Sequence, residues 1–255
     1  MILKIKLVLL CALLCTLSAC ETIGPSAGTG SNASDPVTER ARAHTELGAA
    51  YLQQGKYEIA LDEFTQATKI APNYALAYNG LGLVNAAIGQ NAEAEANFKK
   101  SIQLQPASSE SHNNYGSFLC ANKRYDESIA EFLAAVKNPL YSTPNLAYAN
   151  AGICSARKND IKNAEVYLNK ALEIEPLTHS AATQLADIQF KRGDATAAKK
   201  TLQNALLSDA NAETLWLGIK IERVLGNKDN VASYALQLRQ QYPNAEQTRL
   251  LLSGK

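Results

Sequence analysis

Glycine recurs in this chain at a fixed interval. Gly48, Gly82 and Gly116 follow one another at 34 residues, and Gly152 comes 36 residues later. A period of this size is typical of arrays in which each unit packs only against its neighbours. Residues 41–246 number 206, which equals six units of 34 plus a two-residue insertion. The period therefore predicts a repeat array that fills most of the chain.

The residues at fixed places within the period identify the unit as a tetratricopeptide helix–turn–helix. This hairpin has small residues at places 8 and 20, a large one at place 24 and proline near its end. In the first unit these are Gly48, Ala60, Phe64 and Pro72. The small residues allow the two helices of a hairpin to approach closely, and no hairpin buries its apolar face alone. We predict an all-α fold, a right-handed superhelical solenoid of six such repeats.

The same frame sets the boundaries of the repeats. They are predicted at residues 41–74, 75–108, 109–142, 145–178, 179–212 and 213–246, within a domain spanning 39–255. The last repeat is degenerate because it lacks the glycine at place 8. A short capping helix is predicted over residues 245–252, which include three consecutive leucines.

Residues 1–19 are predicted to be a signal peptide. Lys4 and Lys6 precede an apolar run over 7–17, which is shorter than the roughly 20 residues needed to span a bilayer. The tetrapeptide 17–20, Leu-Ser-Ala-Cys, resembles a bacterial lipobox. The resemblance implies cleavage before Cys20 and acylation of its sulfur and its amine. The alternative is an ordinary signal peptide followed by a chance cysteine.

The chain after Cys20 is predicted to be a flexible tether over residues 20–38. It is rich in glycine, serine, alanine and threonine and shows no apolar periodicity, a composition typical of linkers. Glu21 follows the lipobox cysteine, where aspartate is the residue linked to retention at the inner membrane. By this analogy we expect the protein on the periplasmic face of the outer membrane.

The sequence offers no constellation for catalysis or metal binding. His44, His112 and His179 fall at repeat places 4, 4 and 1, and none has a second ligand at i+3 or i+4. No nucleophile motif surrounds a serine or cysteine. The formal net charge is +1, without a basic block for nucleic acid. We therefore predict a protein that is not an enzyme, with no cofactor, metal, nucleic acid or small-molecule substrate.

A binding surface is predicted on the concave face, which the first helix of each hairpin lines. Small and apolar residues occupy its places in repeats one and two, and they form a groove for an amphipathic or extended apolar peptide: Ala49, Leu52, Leu76, Leu83, Ala86 and Ala87. The alternative is that the chain's own N-terminal segment or capping helix covers part of it. Asn114 and Asn150, both at place 6, are predicted to stack and to bond a peptide backbone.

Two segments resemble a known family. Residues 113–120 read NNYGSFLC, and residues 138–144 read NPLYSTP. Together with the lipobox and the repeats they closely resemble the PilF/PilW family of type IV pilus biogenesis lipoproteins. The resemblance implies a pilotin, an outer-membrane lipoprotein that binds the pilus secretin and promotes its localisation and multimerisation. The alternative is a periplasmic scaffold that regulates peptidoglycan enzymes or outer-membrane protein assembly.

Cysteine arithmetic predicts one disulfide. Cys11 and Cys15 leave with the signal peptide and Cys20 takes lipid, so Cys120 and Cys154 remain. They lie late in the first helices of consecutive repeats, which are neighbours, and the predicted compartment is oxidising. A disulfide would hold repeats three and four together across the insertion. The alternative is a pair of buried thiols that pack as small apolar residues.

Overall fold

The computed structural model describes residues 35–207 and 210–254. The predicted signal peptide, Cys20 and most of the predicted tether lie outside these residues. Within the described ranges all regular structure is helical. The helices are α1 (Pro36–Gln53), α2 (Tyr57–Ile70), α3 (Ala75–Ala87), α4 (Asn91–Leu104), α5 (Ser109–Ala121), α6 (Tyr125–Ala135), α7 (Pro144–Arg157), α8 (Ile161–Ile174), α9 (His179–Lys191), α10 (Ala195–Leu207), α11 (Ala212–Val224), α12 (Lys228–Gln241) and α13 (Glu246–Leu252).

The first twelve helices form six hairpins in chain order, α1 with α2 through α11 with α12. We call the odd-numbered member of each hairpin its A helix and the even-numbered member its B helix. Each B helix packs on the A helix of the next hairpin, and consecutive A helices also touch. The seven-residue α13 closes the array against α11 and α12. The predicted all-α solenoid of six tetratricopeptide repeats is confirmed.

One boundary differs from the prediction. Helix α1 begins at Pro36, so the last three residues of the predicted tether are helical. Asp35 followed by Pro36 matches a helix start, because aspartate favours the N-cap and proline the first turn. The polar, glycine-rich composition before it masked this signal.

Close contact between the helices of a hairpin explains the periodic glycines. A methyl group on Gly82 would lie 2.6 Å from the ring of Phe98, and one on Gly152 would lie 2.6 Å from Leu168. These large residues stand at place 24 and are fully buried. The A helix therefore needs a residue without a side chain where the B helix crosses it.

No described helix is both long enough and apolar enough to cross a membrane.

The turns from A helix to B helix share one backbone conformation. At place 15 the first, second and fifth repeats have glycine in the left-handed region, as at Gly55 with φ 71°. In repeats three and four the same place holds Lys123 and Asn159, with φ 62° and 67°. Asparagine tolerates this region and lysine does so poorly. The turn geometry is thus set by the hairpin rather than by glycine.

Candidate protein-binding groove

A groove of about 410 Å³ lies between α1 and α3, the A helices of repeats one and two. Its apolar wall contains Ala49, Leu52, Leu76 and Leu83, four of the six apolar residues that the sequence places there. We call this cavity the groove. Each of these four side chains is partly exposed, so that the wall is accessible to another molecule.

The two remaining alanines lie elsewhere. Ala86 packs against the aromatic cluster of Phe98, Tyr115 and Phe118, and Ala87 is exposed outside the groove. Their places are correct for the A-helix face, but α5 of the third repeat covers this end of α3. The predicted groove is therefore shorter than the sequence suggests.

The floor of the groove is formed by Phe64 beneath Gly80. A methyl group on Gly80 would meet the Phe64 ring at 2.2 Å, and one on Gly48 would meet it at 2.9 Å. The ring is therefore held between the A helices of two consecutive repeats. Sequence reasoning missed Gly80 as a groove residue. Its position at place 6, outside the 34-residue glycine series, is the signal that could have revealed it.

The rim of the groove is acidic. Arg42 is bound at 2.6 Å by both Glu39 and Glu46, and their hydrogen bonds raise the pKa of the guanidinium. Glu110, exposed at the start of α5, also lines the groove. The groove is thus lined by one arginine, Arg42, and two carboxylates, those of Glu46 and Glu110. The sequence analysis places only small and apolar residues here, whereas the structure combines an apolar wall with a net negative rim.

The predicted pair of place-6 asparagines is organised differently from the prediction. Asn114 donates its amide to Asn79 at 3.3 Å, and Asn150 donates to Asn113 at 3.1 Å. Each asparagine therefore bonds to the asparagine at place 5 of the preceding repeat, and Asn114 and Asn150 do not bond to each other. The sequence analysis missed Asn79 and Asn113 as the partners of the place-6 asparagines. Asn79 also lines the groove.

The structure joins Cys120 to Cys154 in a disulfide, with their Cα atoms 5.9 Å apart. The two residues pack with Phe132 and Ala151 in one apolar cluster, and both are buried. The bond links α5 to α7, the A helices of repeats three and four. The pairing is the one that counting the cysteines predicts.

Charged residues outside the groove serve the packing of repeats. Glu95 accepts hydrogen bonds from Arg124, Lys99 and Tyr115. These bonds, that of Arg124 most strongly, lower the pKa of the Glu95 carboxyl to about 2. His112 bonds Glu131 at 2.5 Å across its own hairpin. In the described part of the chain no three histidine, cysteine or acidic residues form a group that could hold a metal ion.

Models of the tetratricopeptide repeat match residues 48–89, 75–108, 97–130 and 147–176. Hairpin packing, periodic glycines and these matches define a protein of the tetratricopeptide-repeat class. Solenoids of this class present their A helices to a bound segment of another protein, and the groove lies on that face.

The relatives narrow the class to one family. The type IV pilus assembly protein PilF of Pseudomonas aeruginosa is 30% identical over 204 residues, covering 80% of this chain and 81% of that protein. The solved structure of Pseudomonas aeruginosa PilF has a TM-score of 0.75 at 29% identity, covering 87% of this chain and 100% of that one. The crystal structure of PilW, a type IV pilus biogenesis factor, has a TM-score of 0.73 at 30% sequence identity. The match covers 86% of this chain and 100% of that one. The chain belongs to the PilF/PilW family of type IV pilus biogenesis proteins.

Proposed function

We propose that this protein is an outer-membrane pilotin, anchored through lipid on Cys20, that binds the type IV pilus secretin. It promotes the localisation of the secretin to the outer membrane and its multimerisation, and so pilus assembly. Family membership supports a role in building the pilus. The observation that carries the proposal is the groove between α1 and α3, whose accessible apolar wall suits a segment of a partner protein.

The groove suggests what that segment looks like. Leu76 and Leu83 lie two turns apart on α3, a spacing that accommodates successive apolar side chains of a helix or strand. Covering a leucine side chain in such a contact contributes about 1.5–3 kcal/mol. Glu46 and Glu110 favour a partner with basic residues beside its apolar ones.

Charge placed in the groove tests the binding site. We expect Leu76→Glu and Leu83→Glu to abolish secretin multimers in outer-membrane fractions, because an unpaired carboxylate buried against an apolar partner costs several kcal/mol. Leu236→Glu is the matched control, since Leu236 is 48% exposed on α12 and should tolerate the charge. Circular dichroism is used to check that all three variants remain helical. Normal multimers in a folded groove variant would place the site elsewhere.

Pull-down of the intact protein separates this proposal from the scaffold alternative. A pilotin retains secretin, and the Leu83→Glu variant loses it. A periplasmic scaffold would instead retain peptidoglycan enzymes or assembly factors. Cys20→Ser tests the anchor independently: we expect the protein to leave the outer-membrane fraction, and unchanged fractionation would contradict lipidation at this cysteine.

A further inference from the structure

Two leucines stand at the tips of consecutive connections between repeats. Leu140 follows α6 and is 89% exposed, and Leu177 follows α8 and is 55% exposed. A single exposed leucine is ordinary on a protein surface. Here, however, a leucine directly follows a proline in two successive connections between repeats. The corresponding connections of repeats one and two carry Asn73 and Ala107 after their prolines.

Both leucines are held outward by the same local construction. Asn138 accepts the backbone N–H of Leu140 at 3.0 Å through its side-chain oxygen, and Glu175 accepts that of Leu177 at 3.0 Å. A proline separates acceptor and leucine in each case and fixes its own backbone angle φ. The turns therefore present the side chains to the outside at a defined place.

The two tips belong to one edge of the solenoid. Asn145, in the first turn of α7, donates its amide to the hydroxyl of Thr178 at 2.9 Å, and Thr178 is the residue after Leu177. The start of one A helix thus touches the connection that leads into the next. Leu207, the last residue of α10, lies at the corresponding end of the next hairpin and is 76% exposed. We call Leu140, Leu177 and Leu207 the leucine edge.

This edge is also the one on which α1 begins. Every A helix starts where the preceding B helix ends, so Pro36 lies on the same side of its hairpin. Fifteen residues separate Cys20 from Pro36, and even fully extended they reach no more than ~55 Å. If Cys20 carries lipid, the bilayer surface is therefore within the range of this edge.

We propose that the leucine edge rests on the lipid surface, with Leu140 and Leu177 inserted at the boundary between headgroups and acyl chains. The inference rests on the lipid anchor of the proposed function and adds a second point of membrane contact. Projecting apolar tips suit the boundary between headgroups and acyl chains, where amphipathic segments bury their apolar side chains. Exposed Lys137 in the same connection supplies a cation for lipid phosphates. The A-helix face with the groove is left available to the secretin.

Tryptophan quenching in vesicles tests the contact. The chain has a single tryptophan, Trp216, so Trp216→Phe supplies a silent background. The lipidated full-length protein is reconstituted into phosphatidylethanolamine–phosphatidylglycerol vesicles with or without brominated acyl chains. Leu140→Trp and Leu177→Trp are expected to lose most of their emission in the brominated vesicles. Ile59→Trp is the control, because Ile59 is 43% exposed near the start of α2, on the opposite edge.

The outcomes separate this inference from the anchor. Vesicle flotation with equal emission of all three variants in both lipids would overturn the contact and leave the anchor intact. Failure to float would overturn both the anchor and the contact. A change in Leu140→Trp emission that occurs only when secretin is added would identify the edge as a protein interface and also overturn the proposal.

Discussion

Gly80 lies directly over the ring of Phe64, so close that a methyl group on the glycine would be 2.2 Å from the ring. Phe64 belongs to the B helix of repeat one and Gly80 to the A helix of repeat two. The contact therefore sets both the distance between two repeats and the depth of the groove. Gly80 therefore affects both the stacking of the repeats and the shape of the binding surface.

Gly80→Ala should destabilise the protein. The added methyl forces Phe64 to move, and overpacking of this kind costs about 1–3 kcal/mol, of which the better helix propensity of alanine offsets about 1 kcal/mol. The matched control is Gly218→Ala at the same place of repeat six, where the nearest side-chain atom would lie at 3.1 Å. Urea unfolding measures both variants. Equal free energies of unfolding would contradict the close contact.

The hairpins and their order follow from the sequence because they depend on local spacing. The place-8 glycines and the large residues at place 24 specify contact inside one repeat, and the period repeats it. The groove depends on how one repeat is offset from the next, which the period does not encode. For that reason the sequence predicts that Asn114 and Asn150 stack, whereas Asn114 bonds to Asn79 and Asn150 bonds to Asn113. Gly80 was missed for the same reason, since its partner belongs to the preceding repeat.

Reduction of the disulfide should lower the stability of the domain. Cys120 and Cys154 close a loop with a sequence separation of 34 residues, for which the chain-entropy relation gives about 3–4 kcal/mol. Thiol titration of the denatured, unreduced protein should detect no free thiol from Cys120 or Cys154, and dithiothreitol should lower the melting temperature. A Cys120→Ala/Cys154→Ala variant should melt like the reduced protein and no longer respond to reductant. Two titratable thiols would show that the bond is absent.

The stability of the protein should depend on the partners of the buried Glu222 carboxylate. Glu222 is 2% exposed and binds the Lys199 ammonium at 2.9 Å and the Asn230 amide at 2.9 Å, joining repeats five and six. Lys199→Met leaves the Glu222 carboxylate buried with Asn230 as its remaining partner, which should lower the free energy of unfolding by up to about 3 kcal/mol. The loss should be smaller than this limit because the lysine side chain is 43% exposed, so that solvent screens the pair.

Adding Glu222→Leu to Lys199→Met should recover part of that stability, because the unpaired charge is then gone. The free energy of unfolding in urea distinguishes the variants. A Lys199→Met protein as stable as the parent would show that Asn230 alone satisfies the carboxylate.

The free energy of unfolding should fall as rising pH removes the proton from His112. The hydrogen bond to Glu131 raises the pKa of this imidazole above its usual 6.5, and the carbonyl of Pro106 acts in the same direction. Because the folded-state pKa is the higher one, the contribution is complete below the unfolded value of about 6.5 and disappears as pH rises through the folded value. Partial burial of the ring and, more weakly, nearby Lys137 lower the pKa without reversing the shift.

His112→Gln and Glu131→Gln should each flatten the dependence of the melting temperature on pH over that window. The double variant should be no flatter than either single one, because both substitutions remove the same pair. Differential scanning calorimetry at constant ionic strength, stepped from pH 5.5 to about 8.5 so as to span the ordinary histidine range, measures the slope. A parent slope unchanged in both single variants would show that other groups govern stability at these pH values.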